Sequence, residues 1–273
     1  MTTPATTAPA TTKPATMTMA GALNAALRDA LEEDPQVLLI GEDIGTLGGV
    51  FRVTDGLLDR FGPDRVIDSP LAESGILGTC VGMAYHGMRP VAEIQFDGFV
   101  FPAFDQIVAQ VARLHYRTDG AVRMPLTIRI PFGGGIGAVE HHSESPEAYF
   151  AHTPGLRVVT VADPQDAYST MRAAIACDDP VMVLEPKRRY WSKGEVDTSV
   201  TADLTSARVL RRGTDATLVA YGPLVLTALE AALAAEDDGI GLEVIDLRSL
   251  SPLDRGTSRR PSGLRKTTNP DNS

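Results

Sequence analysis

The stretch from Val66 to Thr79, VIDSPLAESGILGT, holds the residue best placed to do chemistry. A short apolar strand runs into a turn at Ser69-Pro70, and Glu73 follows at the start of a helix rich in Gly and Ala. A helix N-terminus favours a carboxylate, yet these flanks are too apolar to hydrate one. A carboxyl so placed, at the end of a strand in a predicted parallel sheet, stands where such folds bind ligands. The bland reading is a first-turn Glu that only stabilises its helix. A second candidate is the pair His141-His142, just beyond a Gly-rich turn at the end of a strand. An acid–base or oxyanion-stabilising imidazole would stand there. The pair lacks a carboxylate at ligand spacing, so it is a poor zinc set. Glu42 and Asp43 lie on the loop GEDIGTLGGVF and read either as solvated carboxylates or as groups facing a ligand. Phe96, Phe99, Phe101 and Phe104 read as core, with room for one to face a ligand.

Other motifs exclude functions. GGGIGA at Gly133 to Ala138 fits the dinucleotide pattern, but HHSESPE follows it where a helix should begin, so a substrate-facing loop is the better reading. Neither a Walker A sequence nor a GxSxG elbow occurs. The two cysteines, Cys80 and Cys177, form no CxxC, which argues against a disulfide or zinc framework and for a reducing cytoplasm. The net charge of −10 argues against nucleic acid or an anionic membrane as partner. No apolar run approaches the roughly 20 residues of a spanning helix.

The candidates need a scaffold that gathers strand ends, and the pattern predicts one. Ala20 to Asp34 has helical spacing and is stopped by Pro35. Val37 to Ile40 is a continuous apolar run, as in a strand buried on both faces. Further strands are predicted at Val66–Ser69, Pro90–Phe96, Leu126–Ile130, Val158–Ala162 and Pro180–Pro186. Helices are predicted at Thr54–Phe61, after Glu73, over a long segment after Asp97 and over Pro164–Asp179. Such alternation implies an α/β fold with a parallel sheet, whose ligands bind at the carboxyl ends of strands. Residues 1–17, Thr/Pro/Ala-rich, read as a disordered extension; 18–190 as the first domain; 191–206 as a polar linker. Residues 207–254 supply only two strands and one helix, too little for a core of their own. Residues 255–273 are basic and aperiodic, and read as an aberrant disordered tail in place of the rest of a truncated domain.

From about Thr18 to Leu253 the chain resembles the beta subunit of the thiamine-diphosphate-dependent decarboxylating component of 2-oxoacid dehydrogenase complexes. The pieces that carry this are LIGEDIG, RVIDSPLAESGI, AEIQFDGFVFPAFDQIV, HHSESPEAYFAHTPGLRVV, DPVMVLEPK and EVIDLRSLSPLD. The third and fourth look most like the branched-chain 2-oxoacid type, with the pyruvate type next.

The resemblance implies a transketolase-like pyrimidine-binding domain followed by an incomplete second α/β domain. It implies that Glu73 hydrogen-bonds a pyrimidine ring nitrogen of thiamine diphosphate and so promotes deprotonation of the thiazolium carbon. His142 matches the histidine that faces the reacting carbon and is implicated in acyl transfer to a lipoyl group. Glu42, Gln95 and Phe99 match residues around the pyrimidine, with Phe99 standing where the branched-chain type more often has Tyr. A structural potassium ion would involve Leu126, Ala174, Ile175, Cys177 and Asp179, several through carbonyl oxygens. The GDG signature that holds magnesium and diphosphate is not in this chain; in the family it belongs to the alpha subunit. The resemblance thus implies two alpha and two beta chains, a 2-oxoacid substrate and a lipoylated acyltransferase partner. The alternatives are a pyruvate or acetoin enzyme, and a non-catalytic assembly subunit crippled at its C-terminal end.

Overall fold

A computed structural model of the chain describes residues 14–258. Its elements, in order, are β1 (Ala15–Thr18), α1 (Met19–Glu33), β2 (Val37–Gly41), α2 (Leu57–Phe61), β3 (Val66–Asp68), α3 (Glu73–Tyr85) and β4 (Arg89–Glu93). Then follow α4 (Leu114–Arg117), β5 (Thr127–Phe132), α5 (Glu147–Ala151), β6 (Arg157–Thr160), α6 (Pro164–Ala176), β7 (Val181–Pro186) and β8 (Lys193–Val196). The chain goes on through β9 (Arg208–Arg211), β10 (Ala216–Ala220), α7 (Val225–Glu236), β11 (Leu242–Asp246), β12 (Ser249–Ser251) and α8 (Arg255–Ser258).

Seven strands form the main sheet in the order β12-β6-β7-β5-β4-β2-β3, and every pairing but that of β12 is parallel. The inner strands β2, β5 and β7 are buried along their whole length, which is why they read as unbroken apolar runs. One apolar core lies between the sheet and α1 and α6; the other fills the space between the sheet and α3. Local chemistry sets the helix starts. The Thr18 side chain accepts the Gly21 N–H at 3.0 Å, and Asp163 accepts the Asp166 N–H at 2.7 Å with Pro164 in the first turn.

From β2 the chain steps outward to β3, then returns to place β4 on the other side of β2. The connections that leave β2 and β4 therefore diverge and open a crevice at the carboxyl ends of these strands.

The structure corrects several expectations. Ala15 to Met17, assigned to a disordered extension, pair as β1 with β8, which lies inside the stretch read as a linker. Each of these short strands, ATMT and KGEV, holds a single large apolar residue, Met17 and Val196, too little for a strand signal, and backbone pairing completes them. The long helix expected after Asp97 is broken into a 3₁₀ segment (Asp97–Ala103), a π segment (Gln106–Val111) and α4. Pro102 lies inside the first of these and has no N–H to continue an α-helix. LEVIDLRSL is two strands, not one. Arg248 takes a φ of +52° between them, its Nε lies 2.9 Å from Asp166 Oδ1, and β12 joins the main sheet antiparallel to β6. The first sheet is therefore mixed. The second unit also has a strand the sequence hid, β9, which is antiparallel to β11 in a three-stranded sheet ordered β10-β11-β9. Of the expected tail, Arg255–Ser258 form the helical turn α8; residues 259–273 and 1–13 lie outside the described residues. Among the described residues no helix is long and apolar enough to cross a membrane.

Two buried carboxylates join the units. Asp166 of α6 and Asp246 of β11 are each 1% exposed. Burial pushes Asp166 up to about 6, against the pull of Arg248 and Arg208. Burial, then the Asp166 charge, pushes Asp246 up to about 7. A carboxyl whose folded pKa exceeds its unfolded one holds a proton that the unfolded chain has released. Stability therefore falls as pH rises through that window. The melting temperature at fixed ionic strength is expected to be higher at pH 5 than at pH 8, and Asp246→Asn to flatten the difference. An equal slope in the variant would count against this junction as its source.

Candidate functional site

Four adjacent strands, β5-β4-β2-β3, deliver the candidates at their carboxyl ends. Glu42 directly follows β2 and is 7% exposed; Glu73 opens α3 after β3 and is 6% exposed. Phe99 lies in the 3₁₀ segment after β4, and His142 lies on the loop after β5. The loop after β2 is held down by Asp68, whose carboxylate accepts the Gly45 N–H at 2.6 Å and the Thr46 N–H at 3.2 Å. A Cβ at Gly45 would stand 2.6 Å from that carboxylate, which would have to move and give up these bonds.

Glu42 and Glu73 are electrostatic neighbours. Burial raises the Glu42 pKa above its ordinary value, the Glu73 charge adds to this, and the Ala72 backbone N–H partly offsets it. Glu42 Oε1 is buried and has no hydrogen-bond partner. An orphaned acceptor in a crevice is costly unless a ligand supplies the missing donor. Gln95 Nε2 donates to Asp43 Oδ2 at 3.2 Å, and Asp43, unlike Glu42, is exposed.

The His142 ring is half-buried and packs 4.0 Å from the Phe96 ring and 5.5 Å from the Phe99 ring, centroid to centroid. Its Nδ1 lies 2.7 Å from the Glu140 carbonyl oxygen. A neutral ring donates there from Nδ1 and keeps Nε2 as the acceptor that can meet a ligand. His141 is the more exposed of the pair, with a φ of +59°, and its role is structural: its carbonyl accepts the Gly98 N–H at 3.2 Å. The preceding glycines Gly133, Gly135 and Gly137 all have positive φ and no helix follows, so the loop is not a dinucleotide fingerprint.

The aromatic set resolves into two groups. Phe96 is 9% exposed and faces His142, whereas Phe101 is 43% exposed and packs with Tyr149, as does Phe104. Sequence reasoning missed the buried pair Lys187–Asp97 beneath Phe96, and the buried group Glu93–Arg129–Glu185 behind it. The available signal was a basic residue in or just after an otherwise apolar strand, in LTIRI and VLEPK.

The residues matched to a potassium site do not form a free cage. The Ile175 and Cys177 carbonyls both accept from Arg89 Nη1 at 3.1 Å. The Leu126 carbonyl accepts the Val181 N–H, the Ala174 carbonyl accepts the Cys177 N–H, and Asp179 is held by Arg157 at 2.7 Å. A guanidinium already sits on two of these oxygens. Cys80 is buried, which pushes its thiol up to about 12 and leaves it inert.

A largely parallel α/β domain with acidic and aromatic side chains gathered at a strand-order reversal belongs to the class of proteins that bind a ligand at the carboxyl ends of their strands. Residues 15–192 match the transketolase pyrimidine-binding domain, and residues 205–267 the transketolase C-terminal domain. The pyruvate dehydrogenase E1 component subunit beta of Leifsonia xyli subsp. xyli is 59% identical over 87% of this chain and 71% of its own. The 3-methyl-2-oxobutanoate dehydrogenase subunit beta of Mycobacterium tuberculosis is 58% identical over 88% of this chain and 70% of its own. A solved split gene transketolase, an inactive beta4 tetramer, shares the fold with a TM-score of 0.75 at 23% identity, over 89% of this chain and 75% of that one. The chain belongs to the family of 2-oxoacid dehydrogenase E1 beta subunits.

Proposed function

We propose that this beta subunit works with an alpha subunit, as two of each, in the oxidative decarboxylation of branched-chain 2-oxoacids in the cytoplasm. The acyl group passes to a lipoyl group of an acyltransferase partner. The observation that carries the reading is the pair of buried carboxylates at neighbouring strand ends, one with an unpartnered oxygen. An aminopyrimidine offers a ring nitrogen and an amino group to such a pair. Thiamine diphosphate, when bound, supplies the carbanion-stabilising chemistry, with magnesium and diphosphate held by the alpha chain. Residues 18–190 provide the pyrimidine half of the site.

On this chain, Glu73 holds and returns a proton at the pyrimidine ring nitrogen, and its shielding from water keeps that proton local. Glu42 accepts from the amino group through its free Oε1. Phe99, with Gln95 beside it, packs against the ring and keeps water out. His142 would present Nε2 toward the reacting group, where it can donate a proton to the sulfur released as the lipoyl disulfide opens and the acyl thioester forms.

Identities of 59% and 58% to relatives with different substrate names do not separate pyruvate from its branched-chain counterparts. Purified beta with its alpha partner is expected to turn over 3-methyl-2-oxobutanoate with a higher kcat/KM than pyruvate, and beta alone to turn over neither. A preference for pyruvate would make it the pyruvate enzyme, and activity of beta alone would refute the shared site.

A further inference from the structure

One buried ion pair beside the site has no part in the chemistry above. Lys187 Nζ lies 2.7 Å from Asp97 Oδ2, and neither side chain has any exposure. Two charges held out of water to pair with each other are seldom worth more than an apolar pair of the same size. Stability alone therefore gives no reason for them.

Their position does. Asp97 lies between Phe96 and Gly98, and Asp97 Oδ1 accepts the Gly98 N–H at 3.2 Å. The same N–H donates to the His141 carbonyl at 3.2 Å. Nothing larger than glycine fits at 98: a Cβ there would stand 2.5 Å from the His141 carbonyl oxygen and 2.9 Å from its Cα. Lys187 Nζ also lies 5.7 Å from the centroid of the Phe96 ring, on which His142 packs at 4.0 Å. The pair thus fixes both the backbone and the ring against which the histidine loop rests. At its other end Lys187 is followed by Arg188, which closes on the start of the same loop: a Cβ at Gly135 would stand 3.0 Å from Arg188 Cβ.

We propose that Lys187 and Asp97 are positioning residues that clamp the Phe96–Phe99 turn onto the His141–His142 loop and so set the place of the His142 imidazole for acyl transfer. This rests on the role given to His142 above. Burial drives both partners toward their neutral forms, raising Asp97 and lowering Lys187 against their shared hydrogen bond, so removing one strands the other.

The test uses the assembled holoenzyme with Lys187→Met, and with Lys187→Met/Asp97→Asn, which buries no lone charge and carries the test should the single variant not fold. In both, the His142 Cε1–H resonance, assigned among the five histidines, is expected to shift and broaden. The kcat for acyl transfer to lipoamide should fall about tenfold or more, since small misplacements of a reacting group are costly. The KM for the 2-oxoacid and the affinity for thiamine diphosphate should each move by less than about twofold, because Glu42 and Glu73 are untouched. An unmoved His142 signal with unchanged kcat would overturn the proposal, as would equal shifts of all five histidine signals. Loss of rate in Glu73→Gln alongside a silent Lys187→Met would remove the clamp and leave the cofactor site standing. A silent His142→Ala would remove the role of His142 itself.

Discussion

Glu73→Gln is expected to lower the kcat of the assembled enzyme by about 10²-fold to 10⁴-fold, the range for losing a general acid–base group. The substitution is nearly isosteric, and the residue is 6% exposed at the start of α3, so the helix and the surface for the alpha chain should survive. What is lost is the ability to hold a proton and give it up. Substrate KM should change little, because nothing the carboxyl touches is substrate. A second readout follows from Glu42, whose pKa is raised by burial first and by the Glu73 charge second. Removing that charge removes one of the causes, so Glu42 should ionise at a lower pH in the variant and shift the acid side of any residual rate profile downward. Steady-state kinetics with lipoamide across pH, with alpha binding followed by size exclusion, decide the matter. A rate within about tenfold of wild type, with alpha bound, would show that the proton is managed elsewhere.

That the place of Glu73 at a helix start was legible from sequence, and the Lys187–Asp97 contact was not, has a physical reason. Apolar runs such as VLLIG and VMVLEP are long enough to be read as strands buried on both faces, because the sheet interior demands it of each residue alone. A carboxylate after a strand and ahead of a Gly-rich helix is likewise a local pattern. β1, β8 and β12 exist only through partners elsewhere in the chain: β1 and β8 order one another, and β12 covers the otherwise open edge of β6. No window of sequence contains that information. The Lys187–Asp97 pair joins residues far apart in the chain, and a lone Asp among phenylalanines gives no hint of its partner. The surroundings of the potassium set were hidden for a related reason. Its oxygens were inferred from the chain that bears them, whereas Arg89, which takes two of them, comes from the start of β4.

Arg129→Met is expected to destabilise the chain by about 3–5 kcal/mol, the cost of breaking a buried ion pair from one side. The Arg129 side chain is 2% exposed and binds Glu185 with both arms, at 2.9 Å from Nε and 2.7 Å from Nη2, while Nη1 bonds Glu93. The Tyr190 hydroxyl donates to Glu185 at 2.6 Å, and Phe51 stacks on Tyr190 at 4.5 Å. Burial already raises the Glu93 pKa, and Arg129 is the main influence holding it down. Without the guanidinium, Glu93 must take up a proton to stay folded, and stability should then fall more steeply as pH rises, since its folded pKa moves further above the unfolded one. Replacing all three charges by apolar residues of similar volume removes the stranded carboxylates and should recover most of the loss. Urea unfolding of the three chains at pH 6 and pH 8 measures both effects; a loss below about 1 kcal/mol in the single variant would mean that water reaches the group. The consequence for function runs through Phe51, whose ring also meets Phe96 edge-on at 5.7 Å. Because Phe96 carries His142, the single variant should lose acyl transfer before it loses the fold, whereas the apolar triple variant can regain stability without regaining rate. That separation would show the buried charges to be kept for the geometry of the site and not for the stability of the sheet.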